Sequence, residues 1–402
     1  MTRLEPMQFE AEAGWPADPV AAVIHPDPYP YYARLAAEAP FHRHDGLGLW
    51  VAAGAEAVTE VLTSPACRVR PPADPVPPAL AAGPAGALFR RLVRFTDGAA
   101  HCPLKQSIVA ALDTVDPARL AGAARERARF LVRDLAPQRE FEGLNRFIFA
   151  LPVQTVAILL GVPPERLADI VDRVDALVGA FSPFADEGAV ERGDRAADRL
   201  LAEFRHPPVG EAETLLGALA PLPGPPAAGH RDLLVANAVG LLVQSYEATA
   251  GLIGNTLLSL ASDADLGAAV AAQPALTANL IQEVLILDPP TQNTRRFVAE
   301  DAILAGAAVR AGDAVLVVLA AAGRDAAAIG AAGSPDLDRP ARRIFNFGTG
   351  VHACAAGSWA ARIAEIAVRA LLEAGVDPAP LRAAKRYRRT PNIRAPVFGA
   401  WK

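Results

Sequence analysis

"FNFGTGVHACAAG", residues Phe345 to Gly357, decides how the rest of the chain is read. Its glycines free the backbone for tight turns. The next stretch, "SWAARIAEIAVRALLEAG", repeats apolar residues at helical spacing and stops at Gly375. The loop therefore turns sharply and opens a helix, with Cys354 at the junction. Helix N-terminal N–H groups favour the thiolate of such a cysteine, the form that binds a metal or attacks an electrophile. His352, two residues away, suits the base that a nucleophile needs. An isolated cysteine is also commonly a small buried apolar residue. Spacing alone leaves ligand, nucleophile and core filler all open.

The wider composition narrows the choice. The chain has 402 residues, 52% of them hydrophobic, ample for a large core, and a net charge of −5. No Lys/Arg-dense run is present, so nucleic acid is not an expected partner. Cys67, Cys102 and Cys354 lie far apart and in no CxxC pair, which argues for a reducing compartment and against a disulfide framework or structural zinc. "MTRLEPMQFEAEAGWPADPV" has charge and proline where a leader needs an apolar run, and no stretch reads as a membrane span. The expectation is a soluble cytoplasmic protein. Abundant alanine, proline and arginine fit a GC-rich bacterial genome.

Upstream, "DPYPYYARLAAEAP" (Asp27–Pro40) reads as turn then helix, "GLWVAA" (Gly48–Ala53) as a strand and "AEAVTEVLTS" (Ala55–Ser64) as a helix. "RPPADPVPPALAAGPAG" (Arg70–Gly86) is too proline-rich for regular structure and reads as a binding loop or lid. From about Ala99 to Gly229 the pattern is helical, broken at Gly161–Arg166 and Pro221–His230. Arg231–Ser262 is apolar nearly all round, which implies a helix buried through the middle of the molecule. "ALTANLIQEVLILD" is a further helix stopped by Pro289 and Pro290, and "TRRFVAEDAILAGAAVRAGDAVLVVLAAA" alternates like short strands. There is no internal repeat. The fold class is mainly α with a minor β region, in one domain spanning residues 1–402.

Phe347-Gly348-x-Gly350-x-His352-x-Cys354 resembles the haem-binding loop of the cytochrome P450 family, FGxGxHxCxG. The match is not confined to that loop: "DGAAHCPLKQSIVAAL" resembles the family's HxxxR segment, and "DPPTQNTRRFVAEDAILAGAAVRAGDAVLV" its β region. The resemblance implies the P450 fold, with haem b between the long central helix and the cysteine-loop helix. It implies Cys354 as the axial thiolate of the iron. Phe347 would pack beside the sulfur over the Gly348 turn, and His352, His101, Lys105 and Arg296 would hold the haem propionates. It further implies a small-molecule substrate, electrons from a ferredoxin and its reductase, and Lys105 and Arg362 on the docking surface.

Departures from the family pattern are as informative. Its central helix carries (A/G)-G-x-(D/E)-T, an acid and a threonine that relay protons to dioxygen. This chain reads "QSYEAT" there: Gln244, Ser245, Tyr246, Glu247, Ala248, Thr249. The acid stays as Glu247, the glycine becomes Ser245 and the threonine becomes Ala248. Thr249 lies one residue further, about 100° round the helix, and does not simply replace it. The family's ExxR pair retains Glu283 but has Ile286 at the arginine position. An ungapped count through "GRDAAAIGAAGSPDLDRP" puts Ser334 at the third member of that cluster, so both arginines are expected to be missing together. Ala356 stands where the loop pattern has its last glycine.

By the same resemblance, Thr291, Gln292 and Asn293, together with Pro396, Val397 and Phe398, join the Gln244–Ala248 stretch around the substrate. The expected function is oxidation of a small organic molecule in a bacterial biosynthetic, natural-product tailoring pathway. One alternative keeps the haem but not ordinary dioxygen activation: nitrene transfer or dehydration of an N–O substrate, peroxygenase chemistry or oxidative coupling. The other is a non-catalytic P450-like binding module.

Overall fold

The structure, a computed structural model, describes residues 14–71, 75–205, 214–219, 229–325, 333–340 and 342–400. In chain order its main elements are α1 (Tyr29–Glu38), β1 (Phe41–His44), β2 (Leu49–Ala52), α2 (Ala55–Thr63), β3 (Cys67–Arg68), α3 (Pro84–Arg91), α4 (His101–Asp113), α5 (Pro117–Leu135), α6 (Phe141–Leu159), α7 (Leu167–Phe181), α8 (Glu187–Arg205), α9 (Leu215–Ala218) and α10 (His230–Ser262). Then come α11 (Ala264–Ala272), α12 (Thr277–Leu287), β4 (Thr294–Val298), β5 (Ala302–Leu304), β6 (Ala307–Val309), β7 (Ala314–Val317), α13 (Leu319–Ala322), α14 (Gly357–Glu373), α15 (Leu381–Ala384), β8 (Lys385–Tyr387) and β9 (Pro396–Phe398). The chain divides into two compact units: residues 1–75, 282–354 and 387–394, and residues 76–281, 355–386 and 395–402.

The first unit is built on a five-stranded sheet in the order β1-β2-β7-β4-β3. β2 and β7 run parallel, the other pairs antiparallel. Along β7, Val315 and Val317 pack on one side with Val58, Val61, Val298 and Phe345, while Leu316 and Val318 pack on the other with Tyr32, Leu35 and Val51. A strand buried on both faces needs the continuous apolar run that the sequence supplies. The β5–β6 hairpin turns on Ala305 and Gly306, both at positive φ, as a two-residue hairpin loop requires.

The second unit is helical. α10 packs against α6, α8 and α14, which explains an apolar surface nearly all round. α5 starts at Asp116, whose side chain accepts from Ala118 N at 2.7 Å, with Pro117 at the first helical position. The Arg127 guanidinium donates twice to Gln154 Oε1 of α6, at 3.1 and 2.8 Å, so both buried polar groups are paired.

Expected boundaries mostly agree, α10 beginning one residue before the expected Arg231. The Arg70–Gly86 expectation needs correcting: a 3-10 turn occupies Pro78–Leu80 and α3 begins at Pro84. Proline at a first helical position starts a helix, because the N–H it lacks has no partner there anyway. Residues 72–74 of that loop, 221–228 of the break before α10, and 326–332 lie outside the described residues. Among the described residues no single helix is long and apolar enough to cross a membrane, and one bent pair, Ala264–Ala272 with Pro274–Leu287, passes by length and composition alone.

Candidate functional site

In the first unit the cysteine loop is fastened at its start. Phe345 is buried in the core beside Val298 and Val317, with the Arg343 guanidinium 4.8 Å from its ring centroid. Asn346 Oδ1 accepts from Thr291 N at 2.9 Å, which ties the loop to the segment following α12. The turn closes through Gly348 N to Phe345 O at 2.8 Å, Ala353 N to Gly350 O at 3.0 Å and Cys354 N to Phe347 O at 2.8 Å. Gly348 and Gly350 have φ of 65° and 71°, left-handed values that side chains resist. Gly350 also lies against α2, where a Cβ would come 3.2 Å from Thr63 Cγ2.

Cys354 is a free, exposed thiol just ahead of α14. A Cβ at Gly348 would meet nothing within 4 Å, so it is the left-handed φ, and not crowding, that calls for glycine there. His352 is half-buried in the same turn, and Arg296 is buried on β4, its Nη1 donating to Arg295 O at 2.9 Å. An exposed sulfur ligand, with an imidazole and a guanidinium able to donate to carboxylates, has the chemistry of a donor set for a haem held through thiolate. Gln292 Nε2 donates to Pro289 O at 2.6 Å and braces its own loop, while Asn293 Nδ2 donates to Pro391 O at 3.0 Å and ties that loop to a distant stretch of the chain. Thr291 is the half-exposed member of the three.

In the second unit, His101 is buried at the start of α4, and Lys105 follows one turn later on the same helix face. On α10, Leu241, Gln244, Ser245 and Ala248 fall within about 100° of one another by helical rotation. Gln244 is exposed and the other three are half-buried. Gln244 Nε2 donates to Gly240 O at 2.9 Å and Ser245 Oγ to Leu242 O at 2.8 Å. Tyr246 faces elsewhere: it is 4% exposed, packs on Phe149 of α6 and donates to Asp175 Oδ1 of α7 at 2.7 Å. A residue two positions beyond Gln244 is rotated about 200° and cannot share its face. Glu247 is half-buried, and Thr249 is buried at 3% exposure. Of Pro396–Phe398, Val397 is half-buried while Pro396 and Phe398 are buried. Asn145 clasps Phe398 from both sides, its Nδ2 donating to the carbonyl at 2.8 Å and its Oδ1 accepting from the N–H at 2.9 Å. Arg362 is ion-paired to Glu365 at 2.5 Å.

The expectation that Glu283 loses both arginine partners is overturned. Its fully buried carboxylate accepts from Arg339 Nε at 2.9 Å, Arg342 Nε at 2.9 Å and Asp336 N at 2.9 Å. Positions 286 and 334 carry no arginine, and the cations come instead from Arg339 and Arg342, further along the segment that leads into the cysteine loop. The signal that finds the true partners is the basic run "DRPARRIF", directly upstream of Phe345. Ile286 remains apolar and fully buried.

No family model matches the chain. It is 32% identical over 363 residues to the cytochrome P450 monooxygenase PikC of Streptomyces venezuelae, covering 86% of this chain and 83% of that protein. It is 31% identical over 283 residues to cytochrome P450 107B1 of Saccharopolyspora erythraea, covering 69% and 68%. Among solved structures, P450BioI in complex with an acyl-carrier-protein-ligated hexadecenoic acid superposes with a TM-score of 0.75 at 22% identity, over 93% of this chain and 98% of that one. The matched length reaches well beyond the cysteine loop, over a fold of the same kind, and the chain belongs to the cytochrome P450 family.

Proposed function

We propose that the protein is a haem-thiolate oxidoreductase that oxidises a small organic molecule in bacterial secondary metabolism, with electrons supplied by a ferredoxin and its reductase. The chain would act as one catalytic domain. One observation carries the reading: Cys354 is a free, exposed thiol on a turn set by two left-handed glycines. Haem b held through such a thiolate supplies one-electron and oxygen chemistry. Cys354 would hold the iron, and His352, Arg296, His101 and Lys105 the propionates. Curated relatives acting in the same way include a mycinamicin methyl hydroxylase and a vitamin D(3) hydroxylase by name, and the substrate here would be of comparable small-molecule class.

A specific observation favours the second reading, in which ordinary dioxygen activation is not used. Ala248 has no hydroxyl, Thr249 is buried, and the Ser245 hydroxyl already donates to Leu242 O. The open face of α10 therefore offers no side-chain hydroxyl with a proton to pass on. A protonated group on the substrate would have to supply it, or the reaction would need no dioxygen relay, as in N–O dehydration, nitrene transfer, peroxide-driven oxidation or oxidative coupling.

Haem-loaded protein, ferredoxin, reductase and NADPH, set against a panel of small natural-product precursors, separate the two readings. Product that requires dioxygen and NADPH supports the first. Product that forms without dioxygen and NADPH, from an N–O substrate alone or from a precursor with added hydrogen peroxide as the oxidant, supports the second. Absence of a thiolate-type ferrous–CO spectrum refutes both.

A further inference from the structure

α12 carries Glu283 and, one turn later, Ile286 in place of the family's arginine. Both side chains are fully buried, so the carboxylate needs cations from elsewhere. They come from a single segment. Arg339 donates to both Glu283 oxygens, through Nε at 2.9 Å and Nη2 at 3.1 Å. Arg342 donates through Nε to Oε1 at 2.9 Å, while its Nη2 reaches Leu337 O at 3.1 Å. Asp336 N completes the ring on Oε2. The segment is thereby wrapped round one carboxylate.

It continues directly into the loop that carries Cys354. Arg343 Nη2 donates to Thr59 Oγ1 of α2 at 2.7 Å, and Asn346 Oδ1 then holds Thr291 N. The chain between Asp336 and Asn346 is thus pinned at two points to α12 and its extension, and at a third to α2. All of these contacts lie within the first unit.

We propose that Arg339 and Arg342 are positioning residues for Cys354: together they clamp Glu283 from the loop side and set the cysteine turn, in place of an arginine at position 286. The proposal rests on the reading of Cys354 as a haem thiolate. Two guanidinium groups on one carboxylate make the clamp redundant. Removing one leaves Glu283 paired, while removing both leaves a buried carboxylate with a backbone N–H alone, so the two losses combine non-additively.

The test compares the wild type with Arg339→Ala, Arg342→Ala, the double variant, and the double variant carrying Ile286→Arg. In haem-free protein, amide hydrogen exchange is followed at Gly348, Ala353 and Cys354, with β4 and β7 amides as the reference. In loaded protein, haem transfer to apomyoglobin and the ferrous–CO spectrum are read. Single variants change loop exchange and haem loss by less than about threefold, and the double variant accelerates both by about tenfold or more with the reference strands unchanged. Ile286→Arg in the double background returns both to within about threefold of the wild type, since it restores a cation one turn from Glu283.

The proposal is overturned if the double variant keeps wild-type loop exchange and haem retention. It is overturned equally if β4 and β7 open as much as the loop, or if Ile286→Arg restores nothing, including where the double variant fails to fold. A wild type without a thiolate-type spectrum refutes the Cys354 reading instead, and the exchange data on haem-free protein still decide the clamp.

Discussion

Tyr246 and Ser245 show how much depends on which way one side chain points. Both sit in the stretch that departs from the family pattern, but the Tyr246 hydroxyl is an internal fastener between α10 and α7, bonded to Asp175. Tyr246→Phe removes that bond while keeping the packing on Phe149, and lowers unfolding stability by about 0.5–1.5 kcal/mol in urea titration. Haem loading and spectrum remain as in the wild type. The family motif makes the identity of the Gln244–Thr249 stretch legible in the sequence. Side-chain direction is less so, because helical rotation sorts neighbours onto opposite faces and only packing decides which face is covered. Cys354 lies at the other extreme. Its turn is dictated by glycines that few other residues can replace, and so the sharp turn ahead of a helix is legible in the sequence.

Elements are held here by buried polar fasteners that no apolar periodicity reveals. Asn237, 3% exposed in α10, accepts from Val93 N at 2.8 Å and donates to Arg91 O at 2.9 Å, fixing the end of α3 and the turn after it. Asn237→Ala strands the buried Val93 N–H and frees the partly exposed Arg91 carbonyl, and the expected loss is about 1–3 kcal/mol by chemical denaturation. Asn237→Asp recovers only the bond from Val93. α12 illustrates the same limit on reading. Its span and its stop at Pro289 are plain from periodicity, whereas the partners of Glu283 come from a segment more than fifty residues away that no periodicity links to it. The basic run Arg339, Arg342, Arg343 is the only trace of them in the sequence.

Across the whole molecule, the β region of the first unit carries a pH dependence. His42 on β1 is buried, and desolvation lowers its pKa below the ordinary 6.5, opposed in part by its hydrogen bond with Ala39 O. The folded chain therefore keeps His42 neutral at pH values where the unfolded chain takes up a proton. That stability is complete above about pH 6.5 and is lost as pH falls from there toward the folded-state pKa. Urea midpoints measured between about pH 7.5 and about pH 5.5 should decline for the wild type and flatten in this window for His42→Gln. The mainly α class, the strand-rich segment and the long central helix are all legible from period and run length. The division into two compact units is not, because no linker composition marks it: the first unit takes its residues from three separate stretches of chain. The Arg394 cluster is equally hidden. Arg394, 1% exposed, donates to the carbonyls of Val23 and His25 and to Asp288, joining distant parts of the chain through contacts that sequence spacing does not encode.

The central claim is that Cys354 is the iron ligand. Its most direct test is the ferrous–CO spectrum of haem-reconstituted wild type beside Cys354→Ala, with circular dichroism to confirm that both are folded. With Cys354 on the iron, the wild type shows the red-shifted Soret band of a thiolate-ligated complex and the variant loses it. A folded Cys354→Ala protein that keeps that band, or a wild type that takes up haem without showing it, would contradict the account.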